Sequence, residues 1–293
     1  MRNILQFAAE TVRQLRRSYE DRSYRSLCAE IENFPHNRVS INWKVDPRTR
    51  YWAHAGSGRF HVYGNSQEAF DDAIDRGFGV IEADVMMTAD GVPVMSHRFR
   101  PNNEVVFDKT PTLDEFLGTK VNGKYTPLSL EMFIKRYESK DVYVSIDPSP
   151  AIRSCDLGQG LISYLKAHAS KVFLAKTIYQ INGLSQLRMM AEDNPFGALH
   201  YGLDAEIGER ANQWKLQCLI PALRSGGVES VSITDFSIDD EKGIRELVLS
   251  LKSVGIAVVV AGVNSCARLA RWESLGVTHI NTDYLEPIQI NER

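Results

Sequence analysis

In the stretch VIEADVMMTADGVPVMSH (80–97), Glu82 and Asp84 interrupt an otherwise apolar run. One residue apart on an extended chain, they point to the same side, where two carboxylates repel. A hard divalent cation between them turns that repulsion into attraction, and oxygen-only ligation favours Mg²⁺ or Ca²⁺. Asp147, closing VYVSID (142–147), is a third acid for such a site. The same spacing also fits salt-bridged or solvated rim acids, so the residues alone leave both readings open. His54 and His97 complete the chemical set. Two imidazoles near a carboxylate-bound cation can serve as base and acid on opposite sides of a phosphoryl group, because their pKa range suits both roles near neutrality. His36, His61, His168, His200 and His279 lack that company and read as hydrogen-bonded structural residues.

Positioning these groups requires a scaffold that gathers strand ends. From about residue 50, β-branched runs alternate with amphipathic stretches, the pattern of βα units around a parallel sheet. The expected strands are 51–56, 80–85, 142–147, 171–178, 197–202, 230–234, 257–263 and 279–283. Helices are expected near 66–77, 128–139, 157–169, 182–193, 208–223, 239–254 and 264–275, with Gly77, Gly255 and Gly276 as stop signals. Eight strands alternating with seven helices fit a TIM (β/α)₈ barrel, an α/β fold of about 250 residues whose chemistry sits at the C-terminal strand ends. There the first strand offers His54, the second Glu82 and Asp84, the third Asp147 and the eighth Asp283. Asp90-Gly91 followed by VPVMSH predicts a small β-hairpin after strand two that returns His97 to the barrel mouth. The competing doubly wound sheet wants a glycine-rich phosphate loop after strand one, and Gly56, Gly58 and Gly64 do not make one.

The 293 residues are 43% hydrophobic and 24% charged, as in an ordinary globular protein with a substantial core. A net charge of -3 disfavours a nucleic-acid partner. Cys28, Cys155, Cys218 and Cys266 show no zinc spacing and no disulfide framework, which points to a reducing, cytoplasmic setting. No apolar run approaches the ~20 residues of a membrane span, and the start lacks a secretory signal pattern. Residues 1–49 read as an N-terminal extension to a barrel domain over 50–293. Ile4, Phe7, Ala8, Val12 and Leu15 have helical spacing there, and Arg13, Arg16 and Arg17 cluster behind them. Packing on the same domain or on a second copy is the preferred role. Peripheral membrane contact is the sharper one, weakened by Glu10, Glu20 and Asp21.

The stretch AHAGSGRFHVYGNSQEAFDDAIDRGFGVIEADVMMTADGVPVMSH, together with YTPLSLEMF (125–133), LSQLRMMAEDNP (184–195) and VVVAGVNSCARLARWESLGVTHINTDYLEP (258–287), resembles the glycerophosphodiester phosphodiesterase family. The HAG form looks closest to a bacterial branch described as phosphatidylinositol-specific phospholipase C-like. The resemblance implies a metal-dependent phosphodiesterase with His54 and His97 as acid/base pair. It implies Glu82, Asp84 and Asp147 as ligands of one Mg²⁺ or Ca²⁺, and a small glycerophosphodiester-like or lysophospholipid-like substrate whose own hydroxyl can attack to give a cyclic phosphate. The chain departs from the family pattern at several positions. Ala55 stands where an Arg follows the first His, Arg98 where an Asp follows the second, and Ser149 where a Lys follows the third ligand; VVVAGVN also lacks the usual Trp. Arg98, Lys176 near the expected end of strand four, and Arg59 are the substrate-binding candidates that could replace the lost cations. The lost residues also leave a second function open, a weakened barrel that binds a phosphate ligand or serves in an assembly.

Overall fold

The computed structural model describes residues 21–33, 43–56, 64–99, 109–120, 123–149, 155–203, 213–235 and 241–287. Eight parallel strands form a closed TIM barrel: β1 (Tyr51–Ala53), β2 (Val80–Met87), β4 (Tyr143–Pro148), β5 (Thr177–Ile181), β6 (Ala198–Gly202), β7 (Val228–Thr234), β8 (Ala257–Ala261) and β9 (His279–Thr282). β1 pairs with both β2 and β9, which closes the sheet. The expected hairpin is present. β3 (Pro93–Met95) runs antiparallel to β2, with Val85 opposite Met95, and Gly91 takes the turn at φ 78°. The turn is fastened by Thr88, whose hydroxyl donates to Val92 O and accepts from Val92 N–H.

The helices are α1 (21–32), α2 (Gln67–Asp75), α3 (Leu113–Gly118), α4 (Leu130–Tyr137), α5 (Cys155–His168), α6 (Lys171–Lys176), α7 (Leu184–Glu192), α8 (Gln213–Ser225), α9 (Glu241–Ser253) and α10 (Cys266–Ser274). Their apolar faces and the outward strand faces share the main core, to which Phe70, Phe133, Leu187, Leu223, Val248 and Trp272 contribute. None of the helices among the described residues is long and apolar enough to cross a membrane.

One expected strand is corrected. KVFLAKTI (171–178) is mostly helix: the Ser170 hydroxyl accepts from Phe173 N–H and starts α6, and the strand begins only at Thr177. An N-cap serine followed by Leu, Ala and Lys outweighs the β-preference of Val172 and Phe173. α3, with its Thr112/Glu115 capping box, was not expected either.

Inside the barrel, alternate strand residues stack in layers. The lowest is apolar: Trp52, Val80, Ile178, Ala198 and Val259, plugged from below by Trp43. The Trp43 ring meets Trp52 at 5.6 Å and His279 at 5.2 Å, both edge-on. The chain just before β1 therefore belongs to the barrel floor. Gly79 N–H donates to Arg48 O, and a Cβ at Gly79 would lie 2.6 Å from the Arg48 carbonyl carbon, so only glycine permits this approach. Further back, Cys28 and Ile31 of α1 join the main core, and Glu30 pairs with Arg188 of α7. Residues 1–20, which carry the amphipathic pattern and its arginines, lie outside the described residues.

Candidate active site

The sheet register brings the acids together. In the β2–β4 pairing Glu82 lies beside Ser145 and Asp84 beside Asp147, so inward-facing carboxylates from two strands converge. Oxygen atoms of Glu82, Asp84 and Asp147 all fall within 4.8 Å of one another. Glu82 and Asp84 are each only 4% exposed, too buried for the solvated-rim alternative. An oxygen-only set of this compactness suits a hard divalent cation. The electrostatics agree. Burial, with the charges of Asp84 and Asp147 beside it, pushes the Glu82 carboxyl well above its ordinary range, against the opposing pull of His54 and the Ala55 N–H. Three ionised carboxylates are not stable here unaided, and a cation removes that penalty.

Each candidate histidine has a carboxylate on its Nδ1. His54 ends β1, and the pairing of Ala53 with Thr282 sets it beside Asp283, at 2.7 Å from Nδ1 to Oδ1. Asp283 is held in turn by Asn264, whose Nδ2–H donates to Oδ2 at 2.7 Å and whose Oδ1 accepts the Asp283 N–H at 2.9 Å. His97 arrives on the hairpin, anchored where Ser96 N–H donates to Asp84 O and Met95 N–H to Leu128 O. Its Nδ1 lies 2.9 Å from Asp84 Oδ1. A carboxylate partner only accepts, so Nδ1 carries a proton in both rings and Nε2 is the atom that can exchange one. The two side chains are 44% and 42% exposed, so both remain accessible. Burial opposes charge on His54, but the Asp283 hydrogen bond and the charges of Glu82, Asp283 and Asp84 outweigh it and raise its pKa to about 10. Burial likewise opposes ionisation of Asp84, yet the hydrogen bond and charge of His97, with help from His54 and Asn65, keep its carboxyl below the ordinary range.

The turn after β1 has an unusual backbone. Ala55 (φ 48°) and Asn65 (φ 56°) are left-handed, which costs a non-glycine residue roughly 1–3 kcal/mol. Ala55 N–H donates to Glu82 Oε2 at 2.6 Å, and Asn65 N–H to Ala55 O at 2.7 Å.

A cavity of about 310 Å³ is bordered by His54, Glu82 and Asp147 at the barrel mouth and by Trp52 and His200 deeper in. Gln180, Asn182, Ser232, Thr234 and Asn281 supply neutral polar groups to its wall, and among the described residues that line it none is Lys or Arg. His200 and His279 are both buried. His200 Nδ1 pairs with the Ser230 hydroxyl, and burial lowers the two pKa values to about 3 and about 4.

The substituted cations fare differently. Lys176 is corrected: it closes α6 just before β5, at the N-terminal end of that strand, and its ammonium donates to Glu138 O and Lys140 O. The misread strand had carried it to the wrong end of the barrel. Arg98 follows His97 with an exposed side chain, and Arg59 lies outside the described residues. Ser149 is buried, its N–H bonded to Val85 O. Sequence reasoning singled out Asp283 as a strand end without assigning it a role, and missed Asn65 and Asn264. Their amides reach the site only through contacts 18 to 19 positions away, which no local pattern displays.

The profile of the Glycerophosphoryl diester phosphodiesterase family matches residues 54–286. This chain belongs to that family. Its matched span begins at His54 and includes both histidines and all three acids, and membership makes the protein a phosphoric diester hydrolase. Solved structures share the fold at low identity. A glycerophosphodiester phosphodiesterase from Thermotoga maritima is 19% identical with a TM-score of 0.61, covering 88% of this chain and 100% of its own. Another from Parabacteroides distasonis is 19% identical with a TM-score of 0.63, covering 80% and 93%. An Oleispira antarctica phosphodiesterase solved with the product sn-glycerol-3-phosphate is 17% identical with a TM-score of 0.61, covering 83% and 95%. No curated protein matches the sequence.

Proposed function

We propose that this phosphodiesterase is divalent-cation dependent and cleaves small glycerophosphodiester-like substrates by His54/His97 acid–base catalysis. The observation that carries the reading is the convergence of Glu82, Asp84 and Asp147 beside two histidines that each hold a carboxylate at Nδ1. Glu82, Asp84 and Asp147 hold the cation, Mg²⁺ or Ca²⁺, which when bound supplies Lewis-acid stabilisation to the phosphodiester's non-bridging oxygens. One imidazole takes a proton at Nε2 from the attacking hydroxyl and the other donates one to the leaving alcohol. Asp283 and Asp84 keep each ring in the tautomer this exchange needs and stabilise the imidazolium form. When the substrate carries a hydroxyl next to the phosphate, that hydroxyl is the nucleophile and a cyclic phosphate is the first product.

The cavity supports a compact polar alcohol. Its wall offers amides and hydroxyls, and its deep end is bordered by His200 and by Trp52 of the apolar layer that Trp43 plugs. A polyol can satisfy those groups, whereas an acyl chain would leave them unpaired. In a lysophospholipid the chain must then lie outside the barrel. A cytoplasmic setting belongs to the same reading, consistent with the free thiols of Cys28, Cys218 and Cys266; residues 1–49 are its proposed segment for self-association or membrane contact.

The test is a substrate panel of glycerophosphocholine, glycerophosphoinositol, a lysophospholipid and bis(4-nitrophenyl) phosphate, run on metal-stripped protein with Mg²⁺ or Ca²⁺ restored. Turnover of the glycerophosphodiesters only with added ion is expected. Equal turnover in a chelator, or preference for the lysophospholipid, contradicts the reading.

A further inference from the structure

Ala55 and Asn65 are the two residues other than glycine with positive φ among the described residues, and both touch the acidic cluster. They form one unit. Ala55 binds Glu82 Oε2 through its N–H and accepts from Asn65 N–H through its carbonyl. The Asn65 side chain then spends both ends of its amide on Asp84: Nδ2–H donates to Oδ2 at 2.8 Å, and Oδ1 accepts the Asp84 N–H at 2.9 Å. With His97 on Oδ1 and Asn65 on Oδ2, the Asp84 carboxylate is fixed in rotation from both oxygens.

The side chain at 65 is closely specified. Asp would set a second carboxylate against Asp84, Gln would add a methylene in a site only 2% exposed, and Ser could keep one of the two bonds at most. The left-handed backbone further favours Asn or Gly. Glycine would satisfy the backbone as well or better, so the amide must answer another need. Both of its bonds go to Asp84.

We infer that Asn65 is a positioning residue, which aims Asp84 at the cation and at His97 together and does not itself touch substrate. This rests on the cation-dependent reading above. Residues that orient metal ligands typically change metal affinity or activity 10- to 100-fold when removed. Ala55 contributes through its backbone, which leaves Asn65 as the member of the unit that mutagenesis can address.

The experiment compares wild type, Asn65→Gly and Asn65→Ser in the full chain, each checked for folding by circular dichroism and thermal unfolding without metal. Mg²⁺ and Ca²⁺ are titrated alone by calorimetry, and cleavage of bis(4-nitrophenyl) phosphate is followed against ion concentration. Asn65→Gly keeps the left-handed backbone and removes both bonds, so ion binding weakens about 10- to 100-fold. Asn65→Ser falls between, and raising the ion concentration restores part of the lost turnover in both. Should Asn65→Gly not fold, Asn65→Ser carries the same comparison. Folded variants that bind the ion as wild type does overturn the inference. A wild type that binds neither ion contradicts the cation-dependent reading itself, and the inference falls with it.

Discussion

His54 and His97 sit in unequal surroundings although each is paired with an aspartate. Asp283 pairs with His54 and is braced by Asn264, whereas Asp84 meets His97, Asn65 and the acidic cluster. Replacing either histidine by Ala should lower kcat by about 100- to 10,000-fold, the usual worth of a general acid or base. His54→Ala also removes a group whose pKa the fold raises to about 10, so its thermal unfolding at neutral pH should drop while the variant stays folded at assay temperature. Retained turnover in both variants would end the acid–base assignment. At Asp283 the account expects a smaller loss. Asp283→Asn keeps the size but removes the charge that favours protonated His54, so kcat should fall about 10- to 100-fold with KM little changed. A change confined to KM would instead place Asp283 in substrate binding. These residues were legible to different degrees. Glu82, Asp84, Asp147 and His54 lie on expected strands and His97 follows the expected hairpin, where local spacing reveals them; Asn65 and Asn264 make their contacts only when the barrel closes.

At the scale of elements, the hairpin and α6 show what local pattern can and cannot decide. Asp90-Gly91 between alternating segments announces a turn, and the structure forms it there, so the return of His97 was readable. Gly91 has φ 78° and open space around it, hence Gly91→Ala meets no clash but a strained backbone. A loss of about 1 kcal/mol in unfolding free energy is expected from denaturant titration, and no loss would mean that the turn rearranges freely. KVFLAKTI was misread because Val, Phe, Thr and Ile suggest a strand while Ser170 caps a helix. Ser170→Ala should cost about 1 kcal/mol by removing the bond to Phe173 N–H, measurable by the same titration. That one-element error also displaced Lys176, since a shift of the strand start to Thr177 carries the lysine from the expected mouth to the base.

Across the molecule, the alternation of eight expected strands with seven helices made the barrel legible, and the plug was not. Trp43 lies in an irregular stretch with no periodicity, and its burial depends on Trp52, His279 and the apolar floor meeting it. The same interior sets a pH response. His200 and His279 are buried neutral, with pKa values lowered from 6.5 to about 3 and about 4. The unfolded chain therefore takes up protons below pH 6.5 while the folded one does not, so stability falls as pH drops from 6.5 towards 4. Each histidine contributes a slope of up to about 1.4 kcal/mol per pH unit. Melting temperatures measured from pH 7 to pH 4.5 should decline for wild type and decline less steeply for His200→Gln; parallel curves would remove His200 from the explanation.

Phosphodiester cleavage is proposed to depend on a divalent cation held by three clustered carboxylates, two of them buried. The most direct measurement is the rate of glycerophosphocholine cleavage by metal-stripped protein as Mg²⁺ or Ca²⁺ is added, for wild type and for the Glu82→Ala/Asp84→Ala variant. The account predicts a saturable rise for wild type and a flat baseline for the folded variant. An ion-independent rate in wild type, or an equal rise in both proteins, would contradict it.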